Sequence, residues 1–266
     1  MSWRCSSTTN EGLVNNLWKH GLLCTPRIRE AMVKVDRAQF SREMPYEDSP
    51  QRIGYDATIS GEFQGYLLVG MGLMPRAAPH IHANALETLK EYLKPGSNVL
   101  DIGSGSGYLC AVMAHLVVCL APLSLINLLI LNIFPLQAPN GKVTGIDHIP
   151  QITSLSVANI HKSPTTSEML KSGLISIVTG DGRLGYSSNA PYDAIHVGAA
   201  AMTVHEPLLE QLKSPGRMFI PVAEGSGMFG GQAVWQIDKD EKGNVTKKRL
   251  YGVMYVPLTD AKKFED

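Results

Sequence analysis

The 266-residue chain has few aromatic residues, few cysteines and no excess of charge of either sign. Basic and acidic side chains number 24 each, so no global field draws the chain to nucleic acid or to an anionic membrane. The local run Lys247-Lys248-Arg249 is too short for a polyanion patch and reads as a solvated hairpin edge. Four cysteines (Cys5, Cys24, Cys110 and Cys119) form no C-x-x-C pair, which argues against a disulfide framework or a thiolate zinc site and for a reducing compartment. The opening MSWRCSSTTNEGL lacks an apolar signal core, so a cytoplasmic protein is expected. His80 and His82 form an H-x-H without an acid cluster beside it, and no metal site is expected. There is no internal repeat.

Long apolar runs are not lacking. Leu116–Gln137 contains no charged residue, and about 20 apolar residues suffice to cross a bilayer. Around it the sequence reads as a soluble α/β protein, with 44% hydrophobic residues available for a core. Residues 11–45 look helical, with Thr25 as an N-cap, Pro26 at the first helical position, and Ile28, Met32 and Val35 at helical spacing. A polar, turn-rich segment runs to Ser60. From His80 a helix carries Leu86, Leu89 and Leu93 on one face and stops at Lys94-Pro95-Gly96.

The pattern then changes. NVLDIGSGSGYLCAVMAHL reads as a buried strand, a glycine turn and a helix. KVTGID, LISIVT, YDAIHVG and RMFIPV follow as further strands, and QAVWQID with VTKKRLYGVMYVPL forms a closing hairpin. Strands alternating with helices imply a doubly wound, mostly parallel sheet with a C-terminal antiparallel hairpin and N-terminal helices.

Ligands of such sheets bind beyond the carboxyl ends of the strands. Those ends here supply Asp101, Gly103, Gly105 and Gly107, then Asp147, then Asp181. Three acids on successive strand ends favour a ligand with positive charge or several hydroxyl and amino donors. A dinucleotide fingerprint is G-x-G-x-x-G; this turn is Gly103-Ser104-Gly105-Ser106-Gly107 with Tyr108 next, which suits a nucleoside ligand without pyrophosphate. The ribose-binding acid should follow such a turn by about 20 residues, yet Asp147 lies 40 beyond Gly107. Removing about half of that interval, all from the apolar run, restores the spacing. The run is therefore read as an insertion.

With these residues in view the sequence resembles the protein-L-isoaspartate (D-aspartate) O-methyltransferase family, whose members are class I, Rossmann-like enzymes dependent on S-adenosylmethionine. The matching stretches are Asp48–Ser60, Ala78–Glu87, Leu100–Leu109, Gly141–His148, Gly180–Tyr186, Ala190–Ala201 and Gly252–Asp260. The resemblance implies Ser60 as the active-site serine. It implies cofactor contacts from Thr58, Ile59, His82, Asp101, Gly103, Ser106, Gly107, Asp147, His148, Asp181, Gly182 and Thr259. Phe264 stands where the family has a glutamine. Family members run from ATIS directly into APHxH, whereas here Gly61–Ala77 intervenes.

The expected organisation is a single methyltransferase domain over 1–266. Residues 1–60 form the helical and substrate-loop region, 61–77 and 118–138 are atypical insertions, and 78–266 are the cofactor-binding core. The second insertion is rich in residues with pyrimidine-rich codons, so both are expected to be translated introns or gene-model errors. A membrane span would put two neighbouring strands on opposite sides of a bilayer, and Pro122, Asn127, Asn132 and Pro135 interrupt it; no membrane association is expected.

The expected reaction is methyl transfer from S-adenosylmethionine to the free carboxylate of L-isoaspartyl and D-aspartyl residues, which initiates repair of aged proteins. A carboxylate is ionised at neutral pH and needs no strong base. The N/D-P-P-Y/F turn of many amine methyltransferases is missing, as HVGAAA stands there. Isoaspartyl proteins and peptides are the expected partners, nucleic acid is not, and the family implies a monomer. His196 reads as a core histidine or one acting behind the site. Two alternatives stay open: an inactive or unstable variant of the enzyme, and a methyltransferase with another class of substrate.

Overall fold

The computed structural model describes residues 5–41, 43–49, 51–54, 57–59, 79–118, 141–225 and 231–258. Two short helices open the chain, α1 (Asn10–Lys19) and α2 (Pro26–Lys34). The Thr9 hydroxyl caps α1 by accepting from the Gly12 N–H at 3.1 Å, and Leu13, Val14 and Leu17 face the core. The helical reading of residues 11–45 is corrected in the middle. Gly21 takes a φ of 71° and turns the chain, and a short 3-10 turn at Arg37–Gln39 follows α2. Thr25 is the N-cap of α2 as expected, but its hydroxyl makes no capping bond. It donates to Glu87 Oε2 at 2.7 Å, while Glu87 Oε1 accepts the N–H groups of Cys24 and Thr25. One carboxylate therefore ties the start of α2 to the next helix.

The polar, turn-rich segment before Ser60 holds a small antiparallel hairpin, β1 (Gln51–Gly54) with β2 (Ala57–Ile59). Then come α3 (Pro79–Leu89), β3 (Asn98–Ile102), α4 (Tyr108–Val117), β4 (Lys142–Asp147), α5 (Pro150–Ile160), α6 (Pro164–Lys171), β5 (Ile175–Thr179), β6 (Tyr192–Val197), α7 (Glu206–Gln211), β7 (Leu212–Glu224), β8 (Gly231–Lys239) and β9 (Val245–Val253). The seven-stranded sheet has the order β5-β4-β3-β6-β7-β8-β9. Strands β5 to β7 are joined in parallel, and β7, β8 and β9 pair antiparallel. This is the expected doubly wound sheet with its terminal hairpin.

Alternate residues of the strands feed two cores. Val99, Val143, Ala194 and Phe219 pack with α1 to α4 on one face; Leu100, Ile102, Ile146, Ile195 and Met218 pack on the other. From β3 the chain builds outward to β4 and β5, then returns to place β6 on the other side of β3. That reversal opens a crevice at the carboxyl ends of β3, β4 and β6. Among the described residues no helix is long and apolar enough to cross a membrane.

Candidate active site

The crevice starts from three glycines. Gly103, Gly105 and Gly107 have φ of 70°, 54° and 83°, values that side-chain-bearing residues rarely adopt. At Gly107 space is short as well, because a Cβ would lie 2.4 Å from Ser156 Oγ. The loop is anchored to β4: the N–H groups of Gly103 and Ser104 both donate to the Ile146 carbonyl, at 2.8 and 3.1 Å. Ser106 is buried, and its carbonyl accepts from Asn159 Nδ2 on α5.

Asp147 stands at the carboxyl end of β4 against this loop. Its Oδ2 accepts the Gly105 N–H and its Oδ1 the Ile149 N–H, each at 3.2 Å. Burial raises its pKa above the ordinary 3.8, against the downward pull of those N–H groups and of His148, whose Nδ1 lies 3.6 Å away. With the N–H groups of Ile149, Gly105 and His148 facing it, a carboxylate with about four acceptor sites keeps capacity for a further donor, in a low-dielectric setting that favours one.

Asp181 caps the 3-10 turn Gly182–Leu184, and Arg183 holds its carboxyl group through Nε and Nη2 at 2.7 to 3.1 Å. That pairing keeps the Asp181 pKa below the usual carboxylate value. Gly182 sits where a Cβ would come within 2.4 Å of Ile102 Cγ2, so its backbone packs directly on β3. Gln211 fixes the rest of this loop by accepting the Tyr186 N–H and donating to the Leu184 carbonyl, both at 2.8 Å. The segment Val256–Leu258 crosses beside it and exchanges two 2.8 Å hydrogen bonds with Ala200.

His82, on α3, is buried and stacked on Tyr108 with ring centroids 5.3 Å apart. Arg37 Nη1 approaches His82 Nδ1 at 3.4 Å and the guanidinium lies 5.3 Å over the Tyr108 ring. Burial, then Arg37, His196 and His80, push the His82 pKa well down, so it is neutral at physiological pH. Burial lowers Arg37 to about 10 and raises Tyr108 to about 12. His80 turns the other way, its Nδ1 and N–H both meeting Asp48 Oδ1, at 2.9 and 3.1 Å. The two histidines of the H-x-H thus have separate partners, and among the described residues no three His, Cys, Asp or Glu side chains are grouped to hold a metal.

The structure therefore brings Gly103, Ser106, Gly107, Asp147 and His148 together, with Asp181 and Gly182 on the next strand end. Asp101 lies one layer beneath, bonded to His196 and Cys110. Thr58 and Ile59 belong to β2, paired with Arg52 and Gln51. Ser60, Thr259 and Phe264 lie outside the described residues, as does most of the apolar run. The sequence reading did not single out Arg37, Asp48, Tyr108 or Gln211. Arg37 carries no local signal, since only tertiary packing shows that an arginine in VDRAQF is fully buried.

Comparison with known proteins agrees with this geometry. The family model described as protein-L-isoaspartate(D-aspartate) O-methyltransferase matches residues 8–263. A protein-L-isoaspartate O-methyltransferase of Caenorhabditis elegans is 42% identical, covering 97% of this chain and 96% of the relative. One of Triticum aestivum is also 42% identical, covering 94% and 91%. A crystal structure described as such an enzyme from Plasmodium falciparum, in complex with S-adenosyl-L-homocysteine, superposes with a TM-score of 0.74 at 28% identity, covering 96% of this chain and 100% of that one. A family match over almost the full length, on a fold whose glycine loop and strand-end acids converge at the switch point, means that the chain belongs to the protein-L-isoaspartate(D-aspartate) O-methyltransferase family.

Proposed function

We propose that this chain is an S-adenosylmethionine-dependent protein carboxyl methyltransferase that methylates the free carboxylate of L-isoaspartyl and D-aspartyl residues and so initiates repair of damaged proteins. The observation that carries the reading is the crevice itself. A glycine loop of positive φ faces a buried aspartate that retains acceptor capacity, in a chain of this family.

The residues fit the cofactor. Asp147 would accept from both ribose hydroxyls, beside His148. Asp181 and Gly182 would face the adenine, with Asp181 turning part of its carboxyl group from Arg183. The Gly103–Gly107 loop with Ser106 would let backbone approach the methionyl part, over Asp101, and His82, Thr58, Ile59 and Thr259 would complete the enclosure. When bound, S-adenosylmethionine supplies an electrophilic methyl group on a sulfonium. No catalytic base is required of the protein, because the acceptor carboxylate is ionised at neutral pH. The chain's own task is to hold two reactants in line, an effect that can reach roughly 7–11 kcal/mol. Ser60 would donate a hydrogen bond to the substrate carboxylate and aim it. In the methylated peptide the next backbone nitrogen displaces methanol to give a succinimide, whose hydrolysis returns some normal aspartate.

We further read the enzyme as a cytoplasmic monomer acting on isoaspartyl proteins and peptides and not on nucleic acid. The balanced charge and the free Cys5, Cys24 and Cys110 support this. We place 61–77 and 118–138 as insertions in one domain, with 1–60 as helical and substrate-loop region and 78–266 as cofactor core. The test is methyl transfer from labelled S-adenosylmethionine to a matched isoaspartyl and aspartyl peptide pair. Labelling of the isoaspartyl peptide alone is expected; equal labelling of both, or cofactor binding with labelling of neither, sinks the substrate assignment.

A further inference from the structure

Both oxygens of Asp101 are engaged by protein donors. His196 Nδ1 donates to Oδ1 at 2.7 Å, and Cys110 Sγ donates to Oδ2 at 3.1 Å. All three side chains are buried. Asp101 on β3 is the register partner of His196 on β6 and of Gly145 on β4. The bare Gly145 makes the Cys110 contact possible, because a Cβ there would lie 2.7 Å from Cys110 Sγ. Burial and Asp101 push the Cys110 thiol well up, so it stays protonated and able to donate. The His196 ring stacks on Phe219 of β7, centroids 5.5 Å apart, which leaves its Nδ1 edge aimed at Asp101.

This layer lies directly under the crevice. One residue beyond Asp101, the Ile102 carbonyl accepts the Gly198 N–H at 2.7 Å. Two residues beyond, Gly103 begins the loop and bonds to β4. At these positions the two backbones lie against each other, since a Cβ on Gly198 would come within 3.0 Å of the Gly103 carbonyl oxygen. A rotation of Asp101 would be felt at once by the backbone that lines the site.

We propose that His196 is a positioning residue for the cofactor: its hydrogen bond to Asp101 locks β3 to β6 beneath the switch point and so holds the Gly103–Gly107 loop and Gly198 in their receiving arrangement. His196 touches neither reactant, and Asp101 acts through the loop above it. The proposal rests on the reading of that loop as the cofactor site.

The experiment is calorimetric binding of S-adenosylhomocysteine to the full chain, wild type beside His196→Leu and His196→Asn, with KM for an isoaspartyl peptide measured in parallel. Leucine removes the donor; asparagine places an amide N–H close to the position of Nδ1. His196→Leu is expected to weaken binding roughly tenfold or more, a loss typical of a hydrogen bond to a charged group. His196→Asn is expected to recover most of it, with peptide KM within about twofold of wild type in both. Wild-type affinity in His196→Leu, or equal weakening in the two variants, overturns the proposal, the second result assigning His196 a packing role. If His196→Leu does not fold, His196→Gln takes its place, its amide displaced one bond outward, and the same comparison with asparagine decides. A wild-type chain that binds no S-adenosylhomocysteine brings down the cofactor reading as well, whereas tight binding in wild type and leucine variant alike brings down this proposal alone.

Discussion

The two ends of the parallel strands are built on opposite plans. At the carboxyl ends the chain uses glycines with positive φ and, in Asp147, an acid with acceptor capacity to spare, and structural hydrogen bonds hold a concave surface open. At the amino ends the polar groups close on one another. The Asp193 carboxyl group accepts from the Asn98 N–H at 2.8 Å and from Lys213 Nζ at 2.7 Å, and the Val117 carbonyl accepts the N–H groups of Gly96 and Gly141, at 2.9 and 3.2 Å. One end is organised to receive a ligand, the other to finish a fold. The apolar run departs from the finished end, beyond Val117, and the chain is back at Gly141.

The comparison breaks first at Asp147. Asp147→Asn is expected to weaken S-adenosylhomocysteine binding about a hundredfold in calorimetry, since the two proposed ribose hydroxyl bonds would lose their charged acceptor and keep one neutral amide oxygen. A change within about twofold would remove Asp147 from the cofactor site. Gly107→Ala comes next. It forces a φ of 83° on a residue with a Cβ 2.4 Å from Ser156 Oγ. A stability loss of about 2 kcal/mol in denaturant titration and a loss of cofactor affinity are expected. Unchanged values in both would mean that α5 yields and the loop is not fixed as described.

Burial holds the Asp147 pKa above 3.8, so its proton is taken up at a higher pH than by an ordinary aspartate. Affinity for S-adenosylhomocysteine is expected to be full at neutral pH and to fall on acidification, with the fall beginning above the usual carboxylate range and absent in Asp147→Asn. The sign for stability is the reverse. A folded-state pKa above the unfolded one means that the folded chain binds the proton more readily, so this group favours the fold as pH drops. Loss of binding should therefore precede unfolding in a parallel circular-dichroism titration; coincident curves would assign the acid loss to unfolding.

The amino end should answer differently. Asp193→Ala is expected to lower stability by about 1 kcal/mol while leaving cofactor affinity within about twofold. The smallest effect is expected from the largest change, deletion of residues 118–138. It would leave Val117-Pro139-Asn140-Gly141, in which the existing Val117 C=O to Gly141 N–H contact becomes the i to i+3 bond of a β-turn, with proline second and glycine fourth. Gly141 is also the residue that must remain bare there, because a Cβ would sit 2.6 Å from the Val117 carbonyl oxygen. Affinity and isoaspartyl labelling no lower than in the full chain are expected; an unfolded or inactive product would show that the run is part of the enzyme.

Much of the fold was legible because its signals are local. Val99, Leu100 and Ile102 followed by alternating glycines announce a buried strand and a turn that only glycine tolerates, and β4 to β9 follow from apolar runs between turn residues. Short elements were less legible. The β1–β2 hairpin is too brief for periodicity to register, and the split of α1 from α2 depends on one glycine turn. The strand-end residues Gly103, Gly107, Asp147 and Asp181 could be chosen from position alone. Arg37, Tyr108, Asp48 and Gln211 could not, since each acts on a partner 25 or more residues away or on a ring that packing brings near.

The sequence by itself determined the parallel sheet and the place of its crevice, because periodicity and glycine geometry are written residue by residue, and its motifs carried the resemblance to the family. Only the tertiary structure decided that the Asp101 oxygens turn inward to His196 and Cys110 while Asp147 faces the crevice. Asp101 sits one residue inside the end of β3, across from Gly145, whereas Asp147 is the last residue of β4, two positions further on in register. What separates them is that depth, together with the strand across from Asp101 and the bare Gly145 that lets Cys110 reach in, and these are properties of register and packing.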